Sequence, residues 1–230
     1  MRIDVEKVTL GAGAHDSPSK GLCVMEAVAY IAREKHSDHP ECVSPVIAAF
    51  LRQWNDSLNN TDRQKLKALI PVVMDTRSLP EDEDRRAWMC LDWLVREYTP
   101  VWLRLAGLTG QAARLEGLPQ FKKGMDVPSI LPVIDAVRSD AVAAWAAAGA
   151  AAGAAARDGA GAAAGAAAGA AARDAARDAA RDAARDAAWA AARVAAWAAA
   201  RDALRPTVEQ LQVSAFALIE RMAWLKDGDD

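Results

Sequence analysis

The sequence predicts an all-α protein, with an N-terminal helical domain followed by a long alanine-rich helical hairpin or rod. Apolar residues recur three and four positions apart along most of the chain, and several of these runs begin at a capping residue followed by proline. Between Trp145 and Arg205 the chain follows a four-residue alanine repeat. With 230 residues and 52% hydrophobic residues, the chain is long enough to bury a core and is not expected to be disordered.

The chain divides where its composition changes. Its first residues contain a short apolar run that ends with Val8 and Leu10, followed by a loop of glycine, serine and proline, which together predict a short strand and an arm on the body of the protein. The predicted divisions are an arm at 1–20, a helical domain at 21–116, a linker at 117–127, an alanine-rich region with a terminal helix at 128–226 and an acidic tail at 227–230.

Three helices are predicted in the first part of the helical domain. Apolar residues at helical spacing after Cys23 indicate the first helix. Ser44 is a good N-cap with Pro45 at the first helical position, so the second helix begins there. Asn59 opens the third helix, which we expect to bend at Pro71.

A further helix is predicted to begin at Pro80, because four acidic residues follow it and the helix dipole favours negative charge in the first turn. Thr99 and Pro100 repeat the cap-plus-proline pattern and predict a new helix, with a shorter one at Thr109–Glu116. The predicted core stripe of the helix from Pro80 is Ala87, Leu91, Leu94 and Tyr98.

The alanine tract determines the shape predicted for the rest of the chain. Steps of four from Trp145 to Arg205 reach sixteen positions that are all Arg, Gly or Trp, a regularity typical of tandem duplication of a short GC-rich DNA unit. A step of four overshoots a helical turn by about 40°, so this track winds around the helix and leaves alanine and glycine on the buried side. The predicted interface residues are Gly165, Gly169, Trp189 and Trp197.

As one continuous helix the tract would be about 100 Å long, so we expect a break near Gly159–Gly161, where two glycines and a charge pair coincide. Pro206 is predicted to end the alanine helix, and a last helix is predicted from Thr207 to Lys226. The apolar residues in phase on that last helix are Val208, Leu211, Ala215, Leu218, Ile219 and Met222.

Charge and cysteine content narrow the class of protein. The net charge of -3 and pI near 5.7 do not predict binding to nucleic acid or to an anionic membrane. Three cysteines are too few for a disulfide framework and predict a cytoplasmic protein. The N-terminal sequence has no signal-peptide pattern, and the apolar runs of the alanine tract are shorter than a membrane span needs.

Cysteine and histidine concentrate in the region from His15 to Cys42, which also contains His36. His39 and Cys42 are spaced as a turn-borne zinc half-site would be, but the other spacings match no common zinc pattern. The alternative is a set of buried cysteines and surface histidines without a metal. The zinc ligands this hypothesis predicts are His15, Cys23, His39 and Cys42.

A second hypothesis makes Cys23 a nucleophile. Cys23 lies at the start of a helix, where the dipole lowers the pKa of a thiol, and His39 would act as the base. Asp38 or Glu26 would orient the histidine. Against it stands the frequent occurrence of cysteine as a buried core residue.

The stretches Cys23–Tyr30, Ser37–Pro40 and Ser44–Asp56, followed by the alanine tract, resemble uncharacterised proteins of actinobacteria and their phages. The resemblance covers most of the chain and assigns no catalytic or ligand residues. It implies a cytoplasmic protein of a bacterium or a phage.

The function that the sequence favours is non-enzymatic: a helical interaction protein that associates with itself or binds a host protein, because helices with small-residue faces pack closely and lack catalytic groups. No cofactor is predicted unless zinc is bound. The alternative is a small metal-binding domain or cysteine-dependent enzyme centred on Cys23, His39 and Cys42.

Overall fold

The computed structural model describes residues 8–126, 128–144 and 203–225. Within these ranges the regular secondary structure is helical, and extended pairing is limited to one parallel bridge between Leu10 and Leu22. The predicted all-α class is therefore confirmed for the described residues. The α-helices are α1 (Val24–Ala32), α2 (Pro45–Ser57), α3 (Asn60–Lys65), α4 (Ile70–Val73), α5 (Pro80–Trp93), α6 (Thr99–Leu105), α7 (Thr109–Glu116), α8 (residues 128–144) and α9 (residues 203–223).

The described residues form two compact units. Residues 117–126, predicted to be a linker, belong to the first unit: Leu118 and Phe121 are buried, and the Phe121 amide donates to the Asp92 carboxylate at 2.9 Å. These residues pack in the first unit because an apolar residue in a loop packs as firmly as one in a helix. The first unit comprises residues 8–99, 116–126 and 211–225, and the second comprises 100–115, 128–144 and 203–210.

Helices α1 and α2 lie where the sequence predicts them, because their flanking residues satisfy the free backbone groups of the helix ends. The Ser44 hydroxyl accepts a hydrogen bond from the Ile47 amide at 3.3 Å, and Pro45 begins α2. Helix α1 ends after Ala32, where Arg33 adopts a left-handed conformation with φ of 61°.

The predicted third helix is divided into three segments. Asn59 caps α3, as predicted, and accepts hydrogen bonds from the amides of Thr61 and Asp62. A 3-10 helix at Leu66–Leu69 follows, and then α4, which has Pro71 in its first turn. Proline has no amide and its ring crowds the carbonyl four residues earlier, so the predicted bend takes the form of a change in helix type.

The break predicted at Thr99 and Pro100 is wrong, because α5 continues into α6 through a π-helical turn at Leu94–Tyr98. Thr99 has helical backbone angles, and both its amide and its hydroxyl donate to the Leu94 carbonyl, the hydroxyl at 2.7 Å. In an unbroken α-helix the ring of Pro100 would meet the carbonyl four residues earlier. The π turn shifts the hydrogen-bond register and allows the helix to continue.

The face of α5 that packs into the first unit differs from the predicted core stripe. Ala87 is exposed, and Leu91 and Leu94 are 37% and 46% exposed. Arg86 and Trp93 are buried instead. The prediction failed because it counted only apolar side chains, whereas an arginine is buried when its donors are satisfied.

Arg86 is 2% exposed and connects three helices of the first unit. Its Nε donates to the Met222 carbonyl of α9 at 3.0 Å, and its Nη1 donates to the Ser78 hydroxyl at 2.6 Å and to the Glu83 carboxylate at 2.8 Å. The same carboxylate accepts a hydrogen bond from Ser44, the cap of α2. One guanidinium therefore links α2, α5 and the last turn of α9.

The core of the first unit is contributed mainly by α1, α2, α4 and α9, with Leu66 and Leu69 of the 3-10 helix. Beside it, Phe50 makes edge contacts with Trp54 at 5.9 Å and Trp93 at 5.6 Å between ring centroids. The apolar phase predicted for the last helix is confirmed from Leu211 onward, since Leu211, Ala215, Leu218, Ile219 and Met222 are buried, whereas Val208 is only half-buried.

Helix α9 includes Pro206, so the predicted stop at this proline is wrong for the described residues. The φ angle of proline is compatible with a helix, which loses one backbone hydrogen bond there.

In the second unit, Gln111 and Arg114 of α7 approach the Asp140 carboxylate of α8 at 3.2 and 4.0 Å. Buried residues of that unit are Pro100, Leu103, Ala112, Leu115, Ile130 and Val137.

The predicted alanine-rich hairpin or rod, the break near Gly159–Gly161 and the acidic tail at 227–230 lie outside the described residues. Of the region predicted at 128–226, the structure describes helix α8 and the stretch from α9 to Leu225.

Candidate functional site

Of the cysteines and histidines that the sequence concentrates in this region, His15, Cys23 and His36 meet at the start of α1, and Cys23 is the N-cap of this helix. Its sulfur accepts a hydrogen bond from the Glu26 amide at 3.5 Å, and the Glu26 carboxylate accepts one from the Cys23 amide at 2.7 Å. The two residues form a capping box, in which cysteine takes the place usually held by serine or threonine.

Glu26 is the centre of the cluster and is 1% exposed. Besides the Cys23 amide, its carboxylate accepts hydrogen bonds from the backbone amide of His15 at 2.6 Å and from His15 Nδ1 at 2.8 Å. Burial acts to raise the pKa of Glu26, but the donors from His15 and Cys23 outweigh it and hold the pKa below its ordinary value. The carboxylate is therefore ionised at neutral pH.

His36 forms the outer side of the cluster. Its Nε2 lies 2.7 Å from the His15 carbonyl, and because a carbonyl only accepts, this nitrogen carries the proton. The same Nε2 is 3.7 Å from a Glu26 carboxylate oxygen. Within the part of the chain that the structure describes, the buried Nδ1 of His36 has no hydrogen-bond partner.

Two glycines form the slot that holds the His15 ring. A Cβ atom at Gly21 would lie 2.5 Å from His15 Cδ2, and one at Gly11 would lie 2.8 Å from His15 Nε2. Gly21 also has a φ of 143°, a value that residues other than glycine rarely adopt. The imidazole position therefore depends on the absence of side chains at both residues.

We expect Gly21→Ala to lower the free energy of unfolding by about 1 to 3 kcal/mol, because the new methyl group overlaps the His15 ring and the backbone is strained. Gly110→Ala is the matched control. Gly110 lies in α7, and apart from its chain neighbours and the backbone of its own helix no atom lies within 4 Å of an added Cβ, so this change should stabilise by about 0.4 to 1 kcal/mol. Denaturant unfolding measures both values, and an equal or greater stability of the Gly21 variant would contradict the slot.

The four predicted zinc ligands are not gathered into one site. His15 and Cys23 both bond to Glu26, whereas His39 Nδ1 bonds to the Asp38 carboxylate at 2.6 Å and the Cys42 amide donates to Glu34 at 2.9 Å. Across residues 8–126, 128–144 and 203–225, no group of three or more His, Cys, Asp or Glu side chains could hold a metal ion. The zinc hypothesis gains no geometric support here.

The thiol pKa values are raised, whereas a nucleophilic cysteine needs a lowered one. Burial raises the pKa of Cys23 to about 12, with the Glu26 carboxylate adding to the rise and backbone donors opposing it. The expected lowering by the helix dipole is therefore wrong, because burial and a neighbouring negative charge outweigh it. The imidazole at Glu26 is that of His15, while the predicted base, His39, bonds to Asp38.

The other two thiols are also protonated at neutral pH. Burial raises the pKa of Cys42 to about 11, and a hydrogen bond to Glu34 adds to the rise. Burial alone raises the pKa of Cys90 to about 11. The described thiols are thus poorly suited to covalent catalysis at neutral pH.

Glu26 has only a secondary role in the hypotheses drawn from the sequence and His36 has none, although both belong to the cluster. The spacing from Cys23 to Glu26 matches a capping box once cysteine is accepted as the cap, so this signal was present in the sequence. The predicted interface residues Gly165, Gly169, Trp189 and Trp197 lie outside the described residues.

Comparison of the chain with protein-family models, with curated proteins and with solved structures finds no match. None of the described helices combines the length and apolarity of a membrane-spanning helix.

Proposed function

We propose that the protein acts by binding protein rather than by catalysis, and that its partner is a second copy of the same chain. The observation that carries the proposal is an exposed apolar row on α5, formed by Ala87, Leu91 and Leu94 and named here the α5 row. Arg86 and Trp93 anchor other sides of this helix in the first unit. The row is therefore presented on a fixed element, as interfaces require.

Spacings of four and three residues place the members of the α5 row on one side of the helix. The row itself contains no charged residue, and the nearest acid along it is Asp84 at its N-terminal end. Two copies paired antiparallel about Leu91 would hold their Asp84 side chains about 20 Å apart, whereas parallel pairing would bring them together. Antiparallel pairing also has the two-fold symmetry that most homodimers adopt.

Other features support a binding role. The raised pKa values of Cys23, Cys42 and Cys90 disfavour the alternative of a cysteine-dependent enzyme centred on Cys23, His39 and Cys42. The net charge of -3 favours protein over nucleic acid as the partner. The resemblance to proteins of actinobacteria and their phages supports a bacterial cytoplasm as the setting.

We expect the double substitution Leu91→Asp and Leu94→Asp to weaken dimerisation by about a hundredfold or more, because it would bury charges in an apolar contact. Sedimentation of the wild type at micromolar concentrations should show a dimer, and the variant should sediment as a monomer. Val213→Asp is the control, because Val213 is 70% exposed on α9 and lies outside the α5 row.

A monomeric wild type, or a variant that remains dimeric, would contradict the proposal. Thermal melting identifies one further outcome that contradicts the proposal. If the wild type is a monomer and the double variant melts at a much lower temperature, another part of the same chain covers the α5 row. A second copy could then not bind there.

A further inference from the structure

Residues 8–11 lie against the first unit as an extended peptide, and the chain bends at residues 12 and 13. Val8 and Leu10 are buried at 9% and 3% exposure, whereas Thr9 between them is exposed. Side chains that alternate between inside and outside are characteristic of an extended chain on a surface. The segment therefore has two apolar anchors, spaced two residues apart.

Gln64 binds the backbone of this segment at two points. Its side-chain oxygen accepts from the Leu10 amide at 3.0 Å, and its side-chain nitrogen donates to the Leu10 carbonyl at 2.9 Å. A neighbouring strand in a sheet would make the same pair of bonds. The amide side chain of a helix residue thus substitutes for a strand.

Three further groups form hydrogen bonds with the backbone of Gly11 and Gly13. The Gly11 amide donates to the Leu22 carbonyl at 2.8 Å, and Asn55 donates to the Gly11 carbonyl at 2.9 Å. The Asp56 carboxylate accepts from the Gly13 amide at 2.7 Å. We name the surface formed by Leu22, Asn55, Asp56 and Gln64 the segment groove. Each of these hydrogen bonds to residues 10–13 is made to backbone atoms.

The segment groove is selective at three positions. Val8 and Leu10 fill the buried positions, and a Cβ at Gly11 would meet His15 Nε2 at 2.8 Å. The fitting ligand is an extended peptide with apolar side chains two residues apart, followed directly by glycine. Recognition of a backbone with pockets for alternate side chains is an established mode of peptide binding.

We propose that the segment groove is a binding site for residues 8–13 of a second copy of this chain, occupied in the structure by the chain's own segment. The inference rests on the proposed self-association for the source of the peptide. The segment fits the groove by construction, and exchange of an identical element reuses every contact. His15 is held by Glu26, so the pivot is at Gly13, with φ of 75°, and the exposed Ala14.

The resident segment competes with any added peptide, because a short tether gives it an effective concentration of roughly millimolar. The test therefore uses full-length variants in which this segment is weakened. Leu10→Ser removes an apolar anchor, and Gly11→Val introduces a side chain against His15 without changing the core. The probe is a fluorescent synthetic peptide of residues 8–14, Val-Thr-Leu-Gly-Ala-Gly-Ala.

We expect each variant to bind the peptide at least tenfold more tightly than the wild type does, as measured by fluorescence anisotropy. Adding Gln64→Ala to either variant should lower the affinity at least tenfold, whereas adding Gln120→Ala, at an exposed glutamine, should leave it unchanged. A peptide with serine in place of Leu10 should not bind. Folded variants that fail to bind the peptide, or binding that does not depend on Gln64, overturn the proposal.

If both variants fail to fold, the wild type decides the question. Millimolar peptide should then displace the resident segment and at least double the hydrogen-exchange rates of the Leu10 and Gly11 amides, and unchanged rates overturn the proposal. These measurements do not depend on the α5 row. A failure of the proposed dimer contact appears in sedimentation of the Leu91 and Leu94 variant and leaves peptide binding intact.

Discussion

Arg86→Met should lower the free energy of unfolding by about 3 to 5 kcal/mol, the largest effect that we expect from a single substitution in the described residues. Methionine retains much of the volume and flexibility of the side chain but supplies no donor. The Met222 carbonyl, the Ser78 hydroxyl and the Glu83 carboxylate would each lose a hydrogen bond. These losses are larger than they would be on a surface, because a buried acceptor that loses its donor cannot bond to water instead.

Arg221→Met is the matched control for that measurement. Arg221 is also paired with a carboxylate, at 3.4 Å from Glu97, but its side chain is 52% exposed. An exposed pair contributes about 1 kcal/mol or less. Guanidinium unfolding followed by circular dichroism compares the two variants, and similar losses in both would show that Arg86 does not link the helices as described.

Glu26→Gln should lower the free energy of unfolding at pH 7 by about 2 to 4 kcal/mol. The carboxylate accepts from two backbone amides and one imidazole nitrogen, and all three are donors. A glutamine side chain must direct its own NH₂ group at one of these donors and so leaves it unsatisfied. The exposed Glu220→Gln is the control and should change stability by less than about 0.5 kcal/mol.

The effect of Glu26→Gln should depend on pH in a defined direction. The pKa of Glu26 is lower in the folded protein than its ordinary value of 4.5, so its contribution is complete above pH 4.5 and is lost as the pH falls through the folded pKa. The stability difference between wild type and variant should therefore shrink below pH 4.5. Glu34 and Asp62 also have lowered pKa values, but they titrate in both proteins and cancel in the difference. A difference that stays constant down to pH 3 would contradict this assignment.

Local signals in the sequence predicted much of the helical structure. Ser44 with Pro45 and Asn59 mark the starts of α2 and α3, because a capping side chain satisfies amides only two or three residues away. The apolar phase from Leu211 to Met222 predicted the buried side of α9 for the same reason, since helical spacing is local.

Contacts between distant residues could not be predicted in this way. Arg86 and Met222 are 136 positions apart, and nothing near Arg86 in the sequence indicates that a carbonyl of α9 would accept its Nε proton. The π turn before Pro100 depends on whether tertiary packing keeps the helix continuous. At the candidate site, His15 and Cys23 bond to the same carboxylate, but their spacing in the sequence could not identify Glu26 as the group that joins them.

The first unit is built from separate stretches of the chain, so it cannot fold completely until the last of them has been synthesised. Leu218, Ile219 and Met222 complete a core whose other members lie largely before residue 94. The ribosome adds the roughly 120 residues between Trp93 and Ala215 in about 6 to 24 s at ordinary elongation rates. Throughout that interval the apolar surface that α9 later covers has been synthesised but is not yet covered.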